Sequence, residues 1–124
     1  MNIKNQTLGL GALIFQSNNP DRLAAFYKEV LGLPLELNSH GELYSHWECD
    51  FNNIHFAILK TNEILNGNGV IPSFVVKDIL KLINDHNLSL NDEILHLGDG
   101  KYVGWLNDPD GNRIHLWMDK SQQD

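Results

Sequence analysis

The sequence predicts an α+β fold built from two copies of one βαβββ unit. The pattern D-x-N-x-I-H, followed by a large apolar residue, occurs at residues 50–56 and again at residues 110–116. A short apolar strand precedes a helical pattern in each half, at nearly the same spacing. Because a repeat of this length is typical of a duplicated supersecondary unit, we expect units at about residues 8–60 and 70–118 within one domain of residues 1–124.

Start and stop signals define one helix in each half. Asn19 is a good N-cap, Pro20 suits the first helical position, and Gly32 is a natural C-cap. In the second half, Asp78 caps a helix that ends near Asn87. Runs of apolar and β-branched residues between turn signals predict eight strands, at residues 8–17, 34–38, 43–51, 53–60, 70–76, 88–97, 101–107 and 113–118. A polar tail follows at residues 119–124.

Composition limits the classes of partner. The net charge of −7, with nine scattered Lys and Arg residues, argues against nucleic acid and against anionic membrane surfaces. The chain has one cysteine, Cys49, which cannot form an internal disulfide and therefore fits a reducing compartment. Residues 1–7 lack the apolar segment of a secretory leader, and no apolar run approaches membrane-spanning length. We therefore expect a cytoplasmic protein.

Three features together resemble the vicinal-oxygen-chelate superfamily, which includes glyoxalase I, extradiol dioxygenases and bleomycin-resistance proteins. Residues 19–27 with Val30-Leu31-Gly32-Leu33 resemble the first strand-to-helix passage of the superfamily, and residues 108–112 (Asp-Pro-Asp-Gly-Asn) resemble its last turn. The paired βαβββ units are the third feature. The resemblance implies a curved, mostly antiparallel eight-stranded sheet with helices on the convex face. It also implies a homodimer, since members of similar length commonly pair.

The resemblance also locates the positions at which the metal enzymes of the superfamily take their ligands, on the first and last strands of each unit. The last-strand positions fall on His55 and His115, and the first-strand positions on Ala12 and Ile71. Two histidines fall short of the three protein ligands of a catalytic zinc site, so we expect no essential metal. Four other residues could still complete a divalent-metal site: Glu42, His46, Glu48 and Cys49.

Strand alternation selects the side chains that face the predicted cavity. His115, Trp117 and Arg113 share one face of the last strand, opposite a uniformly apolar set. His46 and Trp47 are neighbours on one strand, so that only one can face inward, and we expect Trp47 to do so. Trp47 and Trp105 are expected to be core residues, whereas Trp117 points into the cavity. The candidate ligand-binding residues are therefore His55, His115, Trp117, Arg113, Gln16 and Ser73.

These observations predict a small-molecule-binding protein that resembles bleomycin-resistance proteins. It would hold a planar or cationic organic ligand in a cavity lined by histidine and tryptophan, without an essential metal. The alternative is a divalent-metal-dependent glyoxalase-like lyase or isomerase, or a dioxygenase, that uses His55 and His115. Stoichiometric metal that is required for turnover would favour the enzyme, and tight binding by metal-free protein would favour the binding protein.

Overall fold

The computed structural model describes residues 6, 8, 10–40, 44–63, 67 and 69–120. The chain divides into two compact units, Met1–Ile64 and Leu65–Asp124, called here the first and the second unit. Each unit has one helix and four strands in the order βαβββ. The α+β fold of two βαβββ repeats is therefore confirmed, and its eight strands form two four-stranded sheets, one in each unit.

The first unit places its first strand beside its last. Its elements are β1 (Ala12–Ser17), α1 (Pro20–Glu29), β2 (Glu36–His40), β3 (Tyr44–Phe51) and β4 (Ile54–Lys60). The strand order is β1-β4-β3-β2, in which β1 runs parallel to β4 and the other two pairs are antiparallel. Helix α1 begins as predicted: the Asn19 side chain accepts a hydrogen bond from the Arg22 N–H group, and Pro20 is the first helical residue.

Aromatic side chains form the core of the first unit, on the sheet face that α1 covers. The rings of Phe15, Tyr27 and Phe56 are all buried, with centroids 5.2–5.6 Å apart. Cys49 is also buried and lies on this face, because it pairs with Phe56 across β3 and β4. Cys49 is therefore a core thiol, and its side chain points away from the face that carries His55.

The second unit repeats this topology. Its elements are β5 (Ser73–Val75), α2 (Ile79–His86), β6 (Leu95–Gly98), β7 (Lys101–Asn107) and β8 (Arg113–Asp119). The strand order is β5-β8-β7-β6, with β5 parallel to β8. Asp78 caps α2 by accepting the Lys81 N–H, and Asn87 ends it in the left-handed conformation, with φ 52°. Buried Ile79 of α2 packs near Gly104, on the face that also buries Ile114 and Leu116.

Three of the predicted strands are shorter by four residues or more in the structure. The strand at 8–17 begins only at Ala12, and the strand at 70–76 is reduced to Ser73–Val75. The strand at 88–97 is reduced to Leu95–Gly98. The first residue of the predicted strand, Leu88, belongs to the end of α2 instead. Its backbone N–H group donates a hydrogen bond to the Ile83 carbonyl and closes the last turn of the helix. Apolar residues at a helix end therefore resemble the start of a strand in the sequence.

The Asp-Pro-Asp-Gly-Asn turn holds the β7–β8 connection through its first residue. Asp108 is buried and accepts hydrogen bonds from the N–H groups of Asp110 and Asn112, each at 2.9 Å, and from the Asn112 amide. Gly111 has φ +84°. A Cβ atom at Gly67 would lie 3.0 Å from the Gly111 oxygen, so the chain at residue 67 passes close to this turn. Asn68, and the tail beyond Lys120, lie outside the described residues.

Candidate functional site

In each unit the sheet face opposite the helix carries a histidine at the same register position. Ala12 of β1 pairs with His55 of β4, and Ser73 of β5 pairs with His115 of β8. The His55 N–H group donates to the Gly11 carbonyl, and the His115 N–H group donates to the carbonyl of Pro72, at the equivalent place. We call this sheet face the histidine face of each unit.

The register corrects one of the positions assigned by resemblance. Ile71 was taken as the counterpart of Ala12, because each precedes its helix cap by the same number of residues. The counterpart is Ser73, and Ile71 precedes β5 as an exposed residue. The reason is that the residue paired with the histidine lies seven positions before the helix cap in the first unit, from Ala12 to Asn19, and only five in the second, from Ser73 to Asp78. A polar side chain therefore occupies the position at which an apolar one was expected.

His55 lies between two carboxylates on the histidine face of the first unit. Its Nδ1 atom is 3.0 Å from Asp50 Oδ1, and its Nε2 atom is 3.0 Å from Glu48 Oε1. An imidazole that donates to two carboxylates must carry a proton on both nitrogens, because each carboxylate oxygen can only accept. The hydrogen bond to Asp50 raises the pKa of His55 above its ordinary value of 6.5. Partial burial lowers this pKa by less than that hydrogen bond raises it, and the charges of Asp50 and Glu48 and the hydrogen bond to Glu48 raise it further.

Glu48 also connects His55 to a second histidine, His46. The Nε2 atom of His46 is 3.1 Å from the same Glu48 oxygen. Its neighbour Trp47 faces inward, as expected. Trp47 lies on the α1-covered face, where its Nε1–H group donates to Asp21 at 2.9 Å and Lys28 lies 5.6 Å from its ring. Since these contacts with α1 hold Trp47 on the covered face, strand alternation places His46 on the histidine face.

An open pocket of about 410 Å³ adjoins this cluster. Three of the seven residues that line it carry carboxylates, and one is a histidine. The lining residues are Pro34, Glu36, Asn38, Glu48, Cys49, Asp50 and His55. The Asn38 amide donates to Glu48 and helps to hold that carboxylate in place. Gln16, one of the predicted ligand-binding residues, is exposed on the histidine face but lies outside the pocket lining, paired with Leu59. The pocket is therefore polar and predominantly acidic.

The histidine face of the second unit has a different chemistry. The Oγ atom of Ser73 is 2.6 Å from Nδ1 of His115. The centroid of the His115 ring lies 4.5 Å from that of the Trp105 ring, and the Arg113 guanidinium carbon lies over the Trp105 ring, 4.5 Å from its centroid. Trp117 follows on the same face and is half-buried. This face therefore carries four of the predicted ligand-binding residues, which are Ser73, Arg113, His115 and Trp117. Trp105 was expected in the core, but it lies on the same face, opposite His115.

The two hairpins explain why the repeated motif produces two different sites. The β3–β4 turn has two residues, Asn52 and Asn53, both with positive φ, so that Asp50 lies directly opposite His55. The β7–β8 connection has five residues, 108–112, so that Trp105 lies opposite His115 instead. Asp110 aligns with Asp50 in the sequence but not in the sheet. The first histidine therefore has carboxylate neighbours, and the second has serine and aromatic neighbours.

The donor set does not fit the metal centre of the superfamily. Ala12 has no donor atom, the Ser73 hydroxyl is engaged by His115, and protonated His55 has no free lone pair for a metal. In the described part of the chain, no three His, Cys, Asp or Glu side chains are grouped so as to hold a metal ion. Glu42, named as one further donor, lies outside the described residues.

Neither a protein-family model nor a curated protein sequence matches the chain. Among solved structures, the lactoylglutathione lyase from Agrobacterium tumefaciens matches with TM-score 0.63 and 14% identity, over 94% of this chain and 98% of that protein. A glyoxalase/bleomycin resistance protein/dioxygenase from Nocardioides matches with TM-score 0.68 and 10% identity, over 94% and 86%. The oxidase ChaP-H2 matches with TM-score 0.65 and 21% identity, over 91% and 94%.

At these identities the similarity establishes the fold alone. The chain has the fold of the glyoxalase, bleomycin-resistance and dioxygenase proteins, so the resemblance to the vicinal-oxygen-chelate superfamily is confirmed as a likeness of fold. Because one fold hosts many chemistries, the activity has to be argued from the side chains. None of the helices in the described residues is long and apolar enough to cross a membrane.

Proposed function

We propose that this protein binds a small organic ligand on its histidine faces and needs no bound metal to do so. The observation that carries the proposal is the environment of His55. Both of its ring nitrogens lie 3.0 Å from carboxylate oxygens, which favours an imidazolium ion. A metal at this position would have to displace a proton and at least one of these contacts.

The composition of both faces supports a role in organic ligand binding. The first unit offers an acidic pocket, and the second offers two tryptophans beside a histidine and an arginine. Sites that bind small organic molecules are usually lined by hydrophobic and aromatic side chains, with a few polar groups among them. In this proposal His55, His115, Arg113, Gln16 and Ser73 provide polar contacts, and Trp117 provides stacking.

The homodimer expected by resemblance is part of the proposal. Ile14 and Val75 lie on the histidine faces and are 52% and 78% exposed, which supports a ligand or a second chain that covers them. Sedimentation of the purified protein tests this part, and a monomer at all concentrations would contradict it. A cytoplasmic location stays a prediction that rests on the single cysteine.

Binding with and without metal tests the proposal. The purified protein is stripped with a chelator and screened against a panel of aromatic anions, cations and neutral compounds by tryptophan fluorescence. We expect at least one compound to bind the metal-free protein, with the same affinity after Zn²⁺ or Ni²⁺ is added. Binding or turnover that requires added metal would contradict the proposal and would favour the lyase, isomerase or dioxygenase alternative.

The control for specific binding removes the histidines. His55→Ala and His115→Ala should each be compared with His86→Ala, which removes an exposed histidine from α2. Weaker binding in one of the first two variants, with wild-type binding in the third, supports a site on the histidine faces. Equal binding in all three variants would place the ligand elsewhere and would overturn the assignment.

A further inference from the structure

The second unit has a cation on its histidine face with no carboxylate partner among the described residues. Arg113 is exposed at the start of β8, and its guanidinium is placed 4.5 Å from the centroid of the Trp105 ring. The residue across the ladder is Asn107, which is neutral and accepts a hydrogen bond from the Asn91 amide. The chain has a net charge of −7, so an arginine that has no carboxylate partner among the described residues is unusual on a candidate binding face. Its charge favours an anionic ligand.

Stacking on Trp105 leaves the hydrogen-bonding edge of Arg113 available. A guanidinium over an indole uses its flat face, whereas its N–H groups point outward in the plane of the fork. The stacking also restricts the rotation of a long side chain, so less entropy is lost when an anion binds. A carboxylate matches this planar fork with two parallel hydrogen bonds.

The rest of β8 supplies an aromatic and polar surface next to that cation. His115 lies two residues further along β8, and its Nε2 atom has no hydrogen-bond partner among the described residues, since Ser73 engages Nδ1. Trp117 lies two residues beyond and is half-buried. At about 3.4 Å per residue, the side chains of Arg113, His115 and Trp117 form a strip about 14 Å long. This length suits a ligand with one planar ring system and one charged end.

We propose that the strip formed by Arg113, His115 and Trp117 binds a small aromatic carboxylate. The carboxylate pairs with Arg113, and the ring system lies against His115 and Trp117. This inference rests on the proposed function and specifies the ligand class for the second unit. It differs from the general expectation of a planar or cationic ligand, because that expectation followed from the net charge of the chain rather than from the charge on this face.

The two histidine faces then select for opposite charges. The pocket of the first unit is lined by Glu36, Glu48 and Asp50, which repel an anion. Lys101 and Asp119 lie opposite each other in the register of β7 and β8. Among the described strand residues of the second unit, they are the other charged residues on the histidine face. Arg113 is therefore the charge on this face that determines the preference.

Three naphthalene compounds test the inference by tryptophan fluorescence with the metal-free full chain. The compounds are 2-naphthoate, its neutral amide and 2-naphthylmethylamine, which share one ring system and differ in charge. We expect the carboxylate to bind at least about tenfold more tightly than the amide, because hydrogen bonds between two charged groups are stronger than hydrogen bonds to a neutral group. We expect the amine to bind most weakly, and added salt to weaken the carboxylate but not the amide.

Variants assign the charge preference to one residue. Arg113→Gln should abolish the difference between carboxylate and amide, and Arg113→Lys should retain part of it, because lysine keeps the charge without the fork. Lys28→Gln is the matched control, since it removes a cation that lies over Trp47 in the first unit. That control should bind all three compounds as wild type does. Trp117→Ala should weaken the carboxylate and the amide by the same factor.

The following results would overturn the inference, and they would leave the proposed function undecided. Equal affinity for carboxylate and amide, a preference for the amine, or an unchanged preference in Arg113→Gln would show that Arg113 does not recognise an anion. Failure of all three compounds to bind would show that the strip is not an aromatic carboxylate site. The proposed function would still stand if another compound of the broader panel bound the metal-free protein, and would fail only if none did.

Discussion

His55 should make the stability of the protein depend on pH. The hydrogen bond to Asp50, and then the charges of Asp50 and Glu48, raise the folded-state pKa of His55 above its ordinary value. The folded protein therefore binds the imidazole proton more tightly than the unfolded chain does. This contribution to stability is fully present below the unfolded pKa of about 6.5, and it is lost as the pH rises through the folded pKa.

The size of this contribution to stability follows from how exposed His55 and its two carboxylate partners are. The His55 side chain is 40% exposed, Asp50 is 86% exposed and Glu48 is 16% exposed, so solvent screens both pairs. An exposed ion pair contributes about 0.2–1 kcal/mol, and two such pairs give about 0.5–2 kcal/mol. We expect His55→Asn to lower the free energy of unfolding by about this amount at pH 5.5, and by clearly less at pH 8.5.

Urea unfolding followed by circular dichroism at the two pH values measures the effect. The control is His86→Asn, because His86 is exposed and is paired with no carboxylate among the described residues. Its pH dependence should match that of the wild type. A loss in His55→Asn that is equal at both pH values, or that is larger at pH 8.5, would refute the argument that the carboxylates stabilise a protonated His55.

Three further predictions concern packing, backbone conformation and reactivity. Phe56→Ala should lower the free energy of unfolding by about 3–5 kcal/mol in urea, because it removes a buried ring from the core, whereas exposed Phe51→Ala should change it by less than about 1 kcal/mol. Asn87→Ala should cost about 1–2 kcal/mol in the same assay, because Asn87 has φ 52°, and Asn87→Gly should not; equal effects would contradict this explanation. Burial, and then the nearby charge of Asp50, raises the pKa of the Cys49 thiol, so iodoacetamide should label native protein at pH 7.5 far more slowly than urea-unfolded protein, and equal rates would contradict its burial.

The repeat and the helix caps made the fold predictable. Asn19, Pro20 and Asp78 occupy the predicted cap positions, and the strand at 101–107 has the predicted bounds. These signals act locally, through hydrogen bonds between residues three positions apart, so they can be read from sequence. The strand predicted at 88–97 failed because Leu88 is used to close the end of α2, and a short apolar run has no period that distinguishes the two outcomes.

The candidate site was predictable only in part, because cross-strand register depends on turn geometry. Aligned motifs make Asp110 the equivalent of Asp50, but a five-residue connection brings Trp105 opposite His115. Likewise Ser73, and not Ile71, is the partner position of His115, because this position lies two residues nearer to the helix cap than it does in the first unit. A change of two or three residues in a connection changes which side chains meet in a sheet, while it leaves the strand pattern of the sequence unchanged.

His46 shows a second limit. Adjacent strand residues face opposite sides, so the sequence correctly required a choice between His46 and Trp47. Trp47 was expected to face inward, and the structure packs it against α1 through Asp21 and Lys28. The expectation did not include its consequence, that His46 joins the face that carries His55. The signal that could have shown this was the spacing of His46 and Glu48, two polar residues on one face of β3.

Metal content of the untagged protein tests the central claim most directly. Mass spectrometry of protein purified without chelator, before and after incubation with Zn²⁺ and Ni²⁺, should find well below about one metal ion per chain in both cases. The double variant His55→Ala/His115→Ala should give the same result. About one Zn, Ni, Mn or Fe per chain in the wild type, lost in the double variant, would contradict the metal-free account.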